Sequence, residues 1–190
     1  MEQDYLSQCV VKFQELLSND YYLTLEDGTE LHILFQKKHF KHLLGLHKLV
    51  DMPDISRANA TAMYNAILNQ KITQKRIERS VWYYKIKERI EHFPQIESVF
   101  GKKVIVDFNA SLLEKCELKA EYILYSELDE KYTEYIHLAI GHSVKGFYPE
   151  SFFYEPSRQY LSGQIILNID HIQIIPHEKN KKRAKKFEKF

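Results

Sequence analysis

Cysteine and long apolar runs are both scarce in this sequence. The 190 residues include two cysteines, Cys9 and Cys116, too few for the disulfide framework of a small secreted protein. No window approaches the run of about 20 apolar residues that a membrane-spanning helix needs. The opening residues, Met1-Glu2-Gln3-Asp4, are acidic and do not form the apolar core of an export signal. We therefore expect a protein of the reducing cytoplasm that does not associate with membranes.

Signature motifs of several enzyme classes are also missing. The chain has no GxxxxGKS/T phosphate loop, no GxGxxG dinucleotide loop, no GxSxG nucleophile elbow and no HExxH zinc helix. The first two absences exclude P-loop nucleotidases and Rossmann enzymes. His39, His42 and His47 could offer nitrogen ligands, but no carboxylate completes a zinc set around them. We expect neither a bound metal nor a cofactor.

The sequence does contain enough apolar and aromatic material for a folded core. Hydrophobic residues make up 44% of the chain, and 13 Tyr and 11 Phe provide most of its aromatic content. Disordered chains lack such material and cannot offset the entropy of ordering. The net charge of +1 hides an uneven distribution, because residues 177–190 carry seven Lys and Arg against two Glu. We expect one domain over residues 1–176 and a basic tail over residues 177–190.

Apolar periodicity predicts that helices dominate residues 1–100. The expected helices cover residues 4–18, 36–50, 56–69, 74–92 and 95–100. Ser56 and Thr73 are the expected N-caps of the third and fourth of these helices. Asp27-Gly28 lies between two apolar and aromatic runs and predicts a β-hairpin. Gly45 lies inside a helical pattern, so either the helix breaks there or a neighbour approaches closely.

Alternating and β-branched residues predict that strands dominate residues 101–176. The expected strands cover residues 104–108, 121–125, 135–140, 146–154 and 164–174. Helices and strands are thus segregated along the chain. This order predicts an α+β fold, with N-terminal helices packed on a mostly antiparallel C-terminal sheet.

A cationic run, KKHFKH at residues 37–42, is the first candidate for chemistry. Histidine suits proton transfer because its unperturbed pKa lies near neutrality. Neighbouring lysines would attract a phosphodiester and stabilise charge that develops on its oxygens. The alternative interpretation is a solvated helix face. Arg76 and Arg79 add basic groups before Ser80, which could equally be an ordinary helix serine that bonds to the preceding turn.

A second candidate is the aromatic segment 148–154, followed by Tyr160 and Gln164. Tyrosine hydroxyls and glutamine amides can orient a phosphate, and aromatic rings can stack on unpaired bases. The alternative is an aromatic strand in the core. Ser151 and Gln164 fit that alternative less well, since buried polar groups need partners. Trp82-Tyr83-Tyr84 cannot all face inwards, and we expect part of this segment to mark a partner surface, such as that of a homodimer.

Four short motifs recur in order and carry a resemblance. They are FKHLLGL at 40–46, ITxxxIxxS at 72–80, RIxxF at 89–93, and FFY at 152–154 followed by Tyr160, Gln164, Ile166 and Leu167. Together they resemble the phage-associated nuclease-like domains grouped with barnase, EndoU, colicin and RelE toxins, specifically the fourth phage type. The resemblance covers about residues 10–175. It implies a RelE- or barnase-like α+β fold with a curved sheet, and metal-independent RNA cleavage through attack of the ribose 2′-hydroxyl.

The resemblance also implies where such a site would lie. His42 is the expected general acid or base, while Ser80 with Arg76 or Arg79 would hold the phosphate. The expected catalytic residues are His42, Ser80, Ser151 and Gln164, and the expected substrate-binding residues are Lys38, Lys41, Arg76, Arg79 and Tyr160. A second acid or base is not assigned, and His137 and His142 are its candidates.

Three functions compete at this point. The first is an endoribonuclease, a toxin or effector of a phage or mobile element, with RNA as substrate and an antitoxin or inhibitor protein as partner. The second is a non-catalytic domain of the same fold that binds nucleic acid or protein, helped by the basic tail. The third is a transferase that acts on a nucleotide cofactor, such as an ADP-ribosyl carrier.

Overall fold

The structure, a computed structural model, describes residues 4–129 and 134–177. Its α-helices are α1 (Tyr5–Leu16), α2 (Lys37–Leu43), α3 (Pro53–Ser56), α4 (Ala60–Leu68), α5 (Gln74–Ile77) and α6 (Lys87–His92), with 3₁₀ turns at Leu46–Lys48, Tyr83–Lys85, Phe93–Phe100 and Ala110–Leu112. Its strands are β1 (Asn19–Leu25), β2 (Glu30–Ile33), β3 (Val104–Asp107), β4 (Tyr122–Asp129), β5 (Glu134–Ser143), β6 (Gly146–Glu155) and β7 (Ile165–Pro176). The expected mixture of helix and sheet is confirmed.

The strands form a curved sheet that closes into a barrel in the order β1-β2-β6-β5-β4-β3-β7, with β7 against β1. The ladder between β2 and β6 is parallel and joins Ile33 to Phe147, while the other ladders are antiparallel. The expected C-terminal sheet needs one correction, because the N-terminal hairpin β1–β2 belongs to it. Gly28 forms the hairpin turn at φ +85°. Both α2 and α6 pack against β6.

Two of the expected long helices are interrupted, each for a local reason. Gly45 takes a left-handed φ of +72° just after α2, so the helix expected over 36–50 ends there and a 3₁₀ turn follows. The helix expected over 74–92 breaks after α5, where the Ser80 hydroxyl donates to the Asp51 carboxylate. Helical periodicity persists through both breaks, which is why the sequence pattern did not show the second one.

Two further expectations concern the N-cap of α4 and the basic tail. The side chain of Asn59 accepts two backbone N–H groups and caps α4, so Ser56 is not the cap of this helix. At the end of β7, the His177 N–H donates to the carbonyl of Ser18. The rest of the expected basic tail, residues 178–190, lies outside the described residues.

The two faces of the sheet carry different cores. Along β5, Leu138 and Ile140 belong to the large core that includes the helices. His137 and Ala139 lie on the opposite face, beside a smaller core that side chains of residues 108–120 cover. Strand alternation causes this division, because successive side chains point to opposite faces. The smaller core reaches the edge of β6 that faces α6.

Candidate active site

His42 lies at the end of α2 on a face that reaches solvent. The helix begins after Gln36, whose backbone N–H donates to Nδ1 of His39 at 3.1 Å. Phe40 and Leu43 are fully buried in the large core. Since helical spacing places His42 on the other side of α2 from these residues, its imidazole is exposed.

A second imidazole lies against the first. The rings of His42 and His47 stack with their centroids 4.4 Å apart and their planes 12° from parallel, because the left-handed turn at Gly45 folds the chain back. Burial lowers the pKa of His47 to about 4. Loss of hydration also lowers the pKa of His42, against the opposing charge of Glu150 and with the added repulsion of Arg89. Both imidazoles are therefore mainly neutral at pH 7.

Arg89 provides a half-buried cation beside these rings. Its Nη1 donates to Oγ of Ser151 at 3.2 Å and so joins α6 to β6. Burial lowers the pKa of Arg89 to about 10, which leaves the guanidinium charged at physiological pH. Gly45 packs directly on it: a Cβ at this position would lie 3.2 Å from Cδ of Arg89 and 3.0 Å from Cγ2 of Ile86. Glycine is needed here both for the turn and for the space.

These side chains meet in a cleft of about 480 Å³, called the His42 cleft below. It is lined by His42, His47, Lys48, Lys85, Glu88, Arg89, Glu117, Leu118, Glu150, Ser151, Phe153, Tyr154, Glu155 and Tyr160. Partial burial, together with the charges of Arg89 and Lys85, lowers the pKa of Lys48. A lysine of lowered pKa releases a proton more readily than one in water. The cleft thus combines a neutral imidazole, a half-buried arginine and a lysine of lowered pKa.

Three of the expected site residues come together in this cleft: His42, Ser151 and Tyr160. Ser151 is 7% exposed and holds Arg89. The Tyr160 ring packs on Phe153 with centroids 4.7 Å apart, and burial raises the pKa of its hydroxyl. Lys38 lies in an adjoining cavity that His42 also lines.

Three expected phosphate-binding residues around α5 lie elsewhere. The hydroxyl of Ser80 is 2.5 Å from the Asp51 carboxylate and is the main cause of the lowered pKa of Asp51. Arg76 pairs with Asp54 on the surface, and Arg79 is exposed beyond the end of α5. Ser80 thus closes the turn between α5 and α6, and none of the three lines the His42 cleft.

Two more expected site residues already have partners in the fold. Lys41 is buried, and its ammonium donates to the carbonyls of Ser56 and Ala58, both at 2.7 Å. The side-chain amide of Gln164 accepts the backbone N–H of Asn109 at 2.8 Å and donates to its carbonyl at 3.1 Å. Lys41 thus holds the loop before α4, and Gln164 holds the segment after β3. Neither residue lines the cleft.

The two histidines considered for the second acid or base do not lie in the cleft either. His137 is fully buried and stacks on Phe153 at 4.8 Å. Neither of its ring nitrogens has a hydrogen-bond partner among the described residues, and burial lowers its pKa to about 3. His142 stacks on Phe147 at 4.5 Å, near the far end of β5.

The cleft residues that the sequence did not assign to the site include His47, Lys48, Arg89 and Glu150. The one sequence feature that pointed to them was Gly45, because a glycine inside a helical pattern indicated either a break in the helix or a close neighbour. The structure shows both, and the neighbour is Arg89. Once the chain reverses at Gly45, His47 and Lys48 fall beside His42.

Two features are absent from the part of the chain that the structure describes. Within residues 4–129 and 134–177, no three His, Cys, Asp or Glu side chains are close enough together to hold a metal ion. The helices of the same residues are all too short or too polar to pass through a lipid bilayer.

Comparison with known proteins bears on this geometry. A family model described as phage-Barnase-EndoU-ColicinE5/D-RelE like nuclease 4 matches residues 5–189, nearly the whole chain. No curated protein and no solved structure matches the chain. The match confirms the resemblance carried by the FKHLLGL motif at residues 40–46 and the motifs that follow it. The chain therefore belongs to the phage-Barnase-EndoU-ColicinE5/D-RelE like nuclease 4 family.

Proposed function

We propose that this protein is a metal-independent endoribonuclease and that the His42 cleft is its reaction centre. Membership in a nuclease-like family supports a nuclease activity. One observation carries the finer proposal: a neutral imidazole that reaches solvent lies in one cleft with a half-buried arginine and a lysine of lowered pKa. In RNA the 2′-hydroxyl is already beside the phosphorus, so a base, an acid and a cation suffice for cleavage.

The groups of the cleft have complementary roles in this reaction. Neutral His42 accepts the proton of the 2′-hydroxyl while the 2′-oxygen forms a bond to phosphorus. The bond from phosphorus to the 5′-oxygen breaks, and Lys48 protonates that leaving oxygen. The products are a 2′,3′-cyclic phosphate and a 5′-hydroxyl, and proton exchange with water restores His42 and Lys48.

Other residues hold this arrangement and stabilise its charge. Arg89 places its guanidinium where negative charge develops on the phosphorane oxygens. Ser151 fixes Arg89 through the 3.2 Å hydrogen bond. The carboxylate of Glu150 favours the protonated form of His42, which stabilises the imidazolium that forms during the reaction. Tyr160 closes the side of the cleft that faces the smaller core.

Cleavage of a labelled single-stranded RNA in excess EDTA tests the proposal. We expect the wild-type protein to cleave it and His42→Ala to be at least about 100-fold slower, with an unchanged circular dichroism spectrum. Intact RNA with the wild-type protein across pH 5–8 would contradict the proposal. If the labelled RNA is bound by the protein but stays uncut, the result would favour the alternative, a non-catalytic nucleic-acid-binding domain.

A further inference from the structure

A second cavity of about 380 Å³ adjoins the His42 cleft. The start of α2 supplies Gln36 and Lys38 to its wall, and the turn from β5 to β6 supplies Lys145. His42 and Glu150 line both the cavity and the cleft. The two spaces therefore share a wall at His42 and Glu150, and a chain bound with a phosphate at His42 lies next to the second space, called the Lys38–Lys145 cavity below.

The charges of the two spaces differ. The His42 cleft has the cations Lys48, Lys85 and Arg89 but also the carboxylates of Glu88, Glu117, Glu150 and Glu155. In the Lys38–Lys145 cavity, two lysines face the single carboxylate of Glu150. A polyanion is therefore drawn along the cavity and is repelled by the far rim of the cleft.

His39 gives the cavity a fixed hydrogen-bond donor. Its side chain is 8% exposed, and Nδ1 accepts the backbone N–H of Gln36, so the ring proton is on Nε2. Burial lowers the pKa of His39 to about 4, which keeps the ring neutral and this tautomer in place at pH 7. The Tyr148 ring packs beside His39, with the ring centroids 5.9 Å apart, and lies so close to Gly141 that a Cβ there would be 2.8 Å from its Cζ. A nucleobase offers acceptors that such a donor can read.

We propose that the Lys38–Lys145 cavity binds the nucleotide that flanks the scissile phosphate in a single RNA strand. Its lysines contact the next phosphate, and Nε2 of His39 contacts the base. This inference rests on the proposed function, because the position of the scissile phosphate at His42 defines which nucleotide is meant. The cavity's volume of about 380 Å³ is of the size that one nucleotide needs, and an unpaired base presents its edges to a donor such as Nε2 of His39.

Fluorescence anisotropy with 2′-O-methyl oligonucleotides tests the cavity separately from catalysis, since these RNAs cannot be cleaved by 2′-hydroxyl attack. The test variant is the double substitution Lys38→Ala with Lys145→Ala. Its matched control is Lys71→Ala with Lys75→Ala, which removes the same charge from exposed positions outside both spaces. We expect the test variant to bind a tetranucleotide about tenfold more weakly than the wild type, and the control to bind within about twofold of it.

Equal affinities for the two double variants would overturn the proposal, whether both bind normally or both are weakened. A specific loss in the test variant from a protein that cleaves no RNA would support the cavity and contradict the proposed catalysis. As a second readout, His39→Phe should reduce any preference among four tetranucleotides that differ in one flanking base. An undiminished preference would contradict the role of His39.

Discussion

The His42 cleft and the segment around α5 contain similar polar side chains in different situations. Around α5, Ser80 is bonded to Asp51, and Arg76 is paired with Asp54. In the cleft, the half-buried Arg89 donates to a neutral serine and has no carboxylate partner among the residues that the structure describes. A cation that already has a carboxylate partner gains little from a phosphate, whereas a buried cation without one gains much.

The difference between the two regions is whether the polar side chains already have partners in the fold. Residues whose hydrogen bonds close a turn or an ion pair stabilise the fold. Residues without an ion-pair partner, whose pKa burial shifts towards the uncharged form, are suited to exchange protons and to bind an anion.

Removing the imidazole or the guanidinium of the cleft should have the largest effect. We expect His42→Ala and Arg89→Ala each to lower kcat/KM for RNA cleavage by about 10²–10⁴-fold, because base catalysis and charge stabilisation are lost. Arg76→Ala, outside the cleft, should leave kcat/KM within about twofold. Steady-state kinetics on one fluorogenic RNA substrate measures all three variants, and an equal loss in Arg76→Ala would abolish the distinction between the two regions.

His137 differs from the residues of both regions. It has no hydrogen-bond partner among the described residues, but it is fully buried beside the smaller core. Its folded-state pKa of about 3 lies below the ordinary value of 6.5. The unfolded chain therefore binds a proton there that the folded chain does not, and stability falls as the pH drops from about 6.5 towards 3. His137→Phe should remove about one proton, or roughly 1.4 kcal/mol per pH unit, from that slope.

Urea unfolding at pH 7, 6, 5 and 4 measures the slope for the wild type and for His137→Phe. His39 and His47 also have lowered pKa values of about 4, so the variant should keep part of the acid sensitivity. Parallel curves for the two proteins would show that His137 does not titrate as the structure requires. Cleavage activity at pH 7 should be unchanged, since His137 does not line the cleft.

Gly45→Ala tests the contact between the α2 turn and Arg89. Its new Cβ would crowd Arg89 and Ile86 at a left-handed φ of +72°, so we expect about a tenfold loss of cleavage rate and a loss of about 1–2 kcal/mol of stability. Gly28→Ala is the matched control, since Gly28 has φ +85° but no atom within 4 Å of a new Cβ. It should lose similar stability and keep its cleavage rate, whereas equal losses of rate would exclude a specific role for Gly45.

Ser80→Ala should have the smallest effect on the reaction. Loss of the hydroxyl removes one bond to Asp51 and one from the Trp82 N–H, which we expect to lower the free energy of unfolding by about 1–2 kcal/mol. The rate of RNA cleavage by the folded protein should stay within about twofold of the wild type. A loss of rate without a loss of stability would restore Ser80 to the site.

The sequence predicted the elements of this fold better than the members of its site. Strand alternation and helical periodicity are local, so β3 to β7 and α1 were found close to their observed bounds. Ser80 was expected in the site because the local sequence does not show its hydrogen bond to Asp51, which lies 29 positions earlier in the chain. Arg89 was missed because its place in the cleft depends on its contacts with Gly45 and Ser151. These residues come together only in the folded chain.

The most direct test of the account uses an oligodeoxynucleotide that contains one ribonucleotide, incubated with the wild-type protein at pH 7 in excess EDTA. The account predicts a single cut after the ribose, with a 2′,3′-cyclic phosphate and a 5′-hydroxyl identified by mass spectrometry, and no cut in the all-deoxy strand. Cleavage of the all-deoxy strand, or a product that ends in a 3′-hydroxyl, would contradict attack by the 2′-hydroxyl at His42.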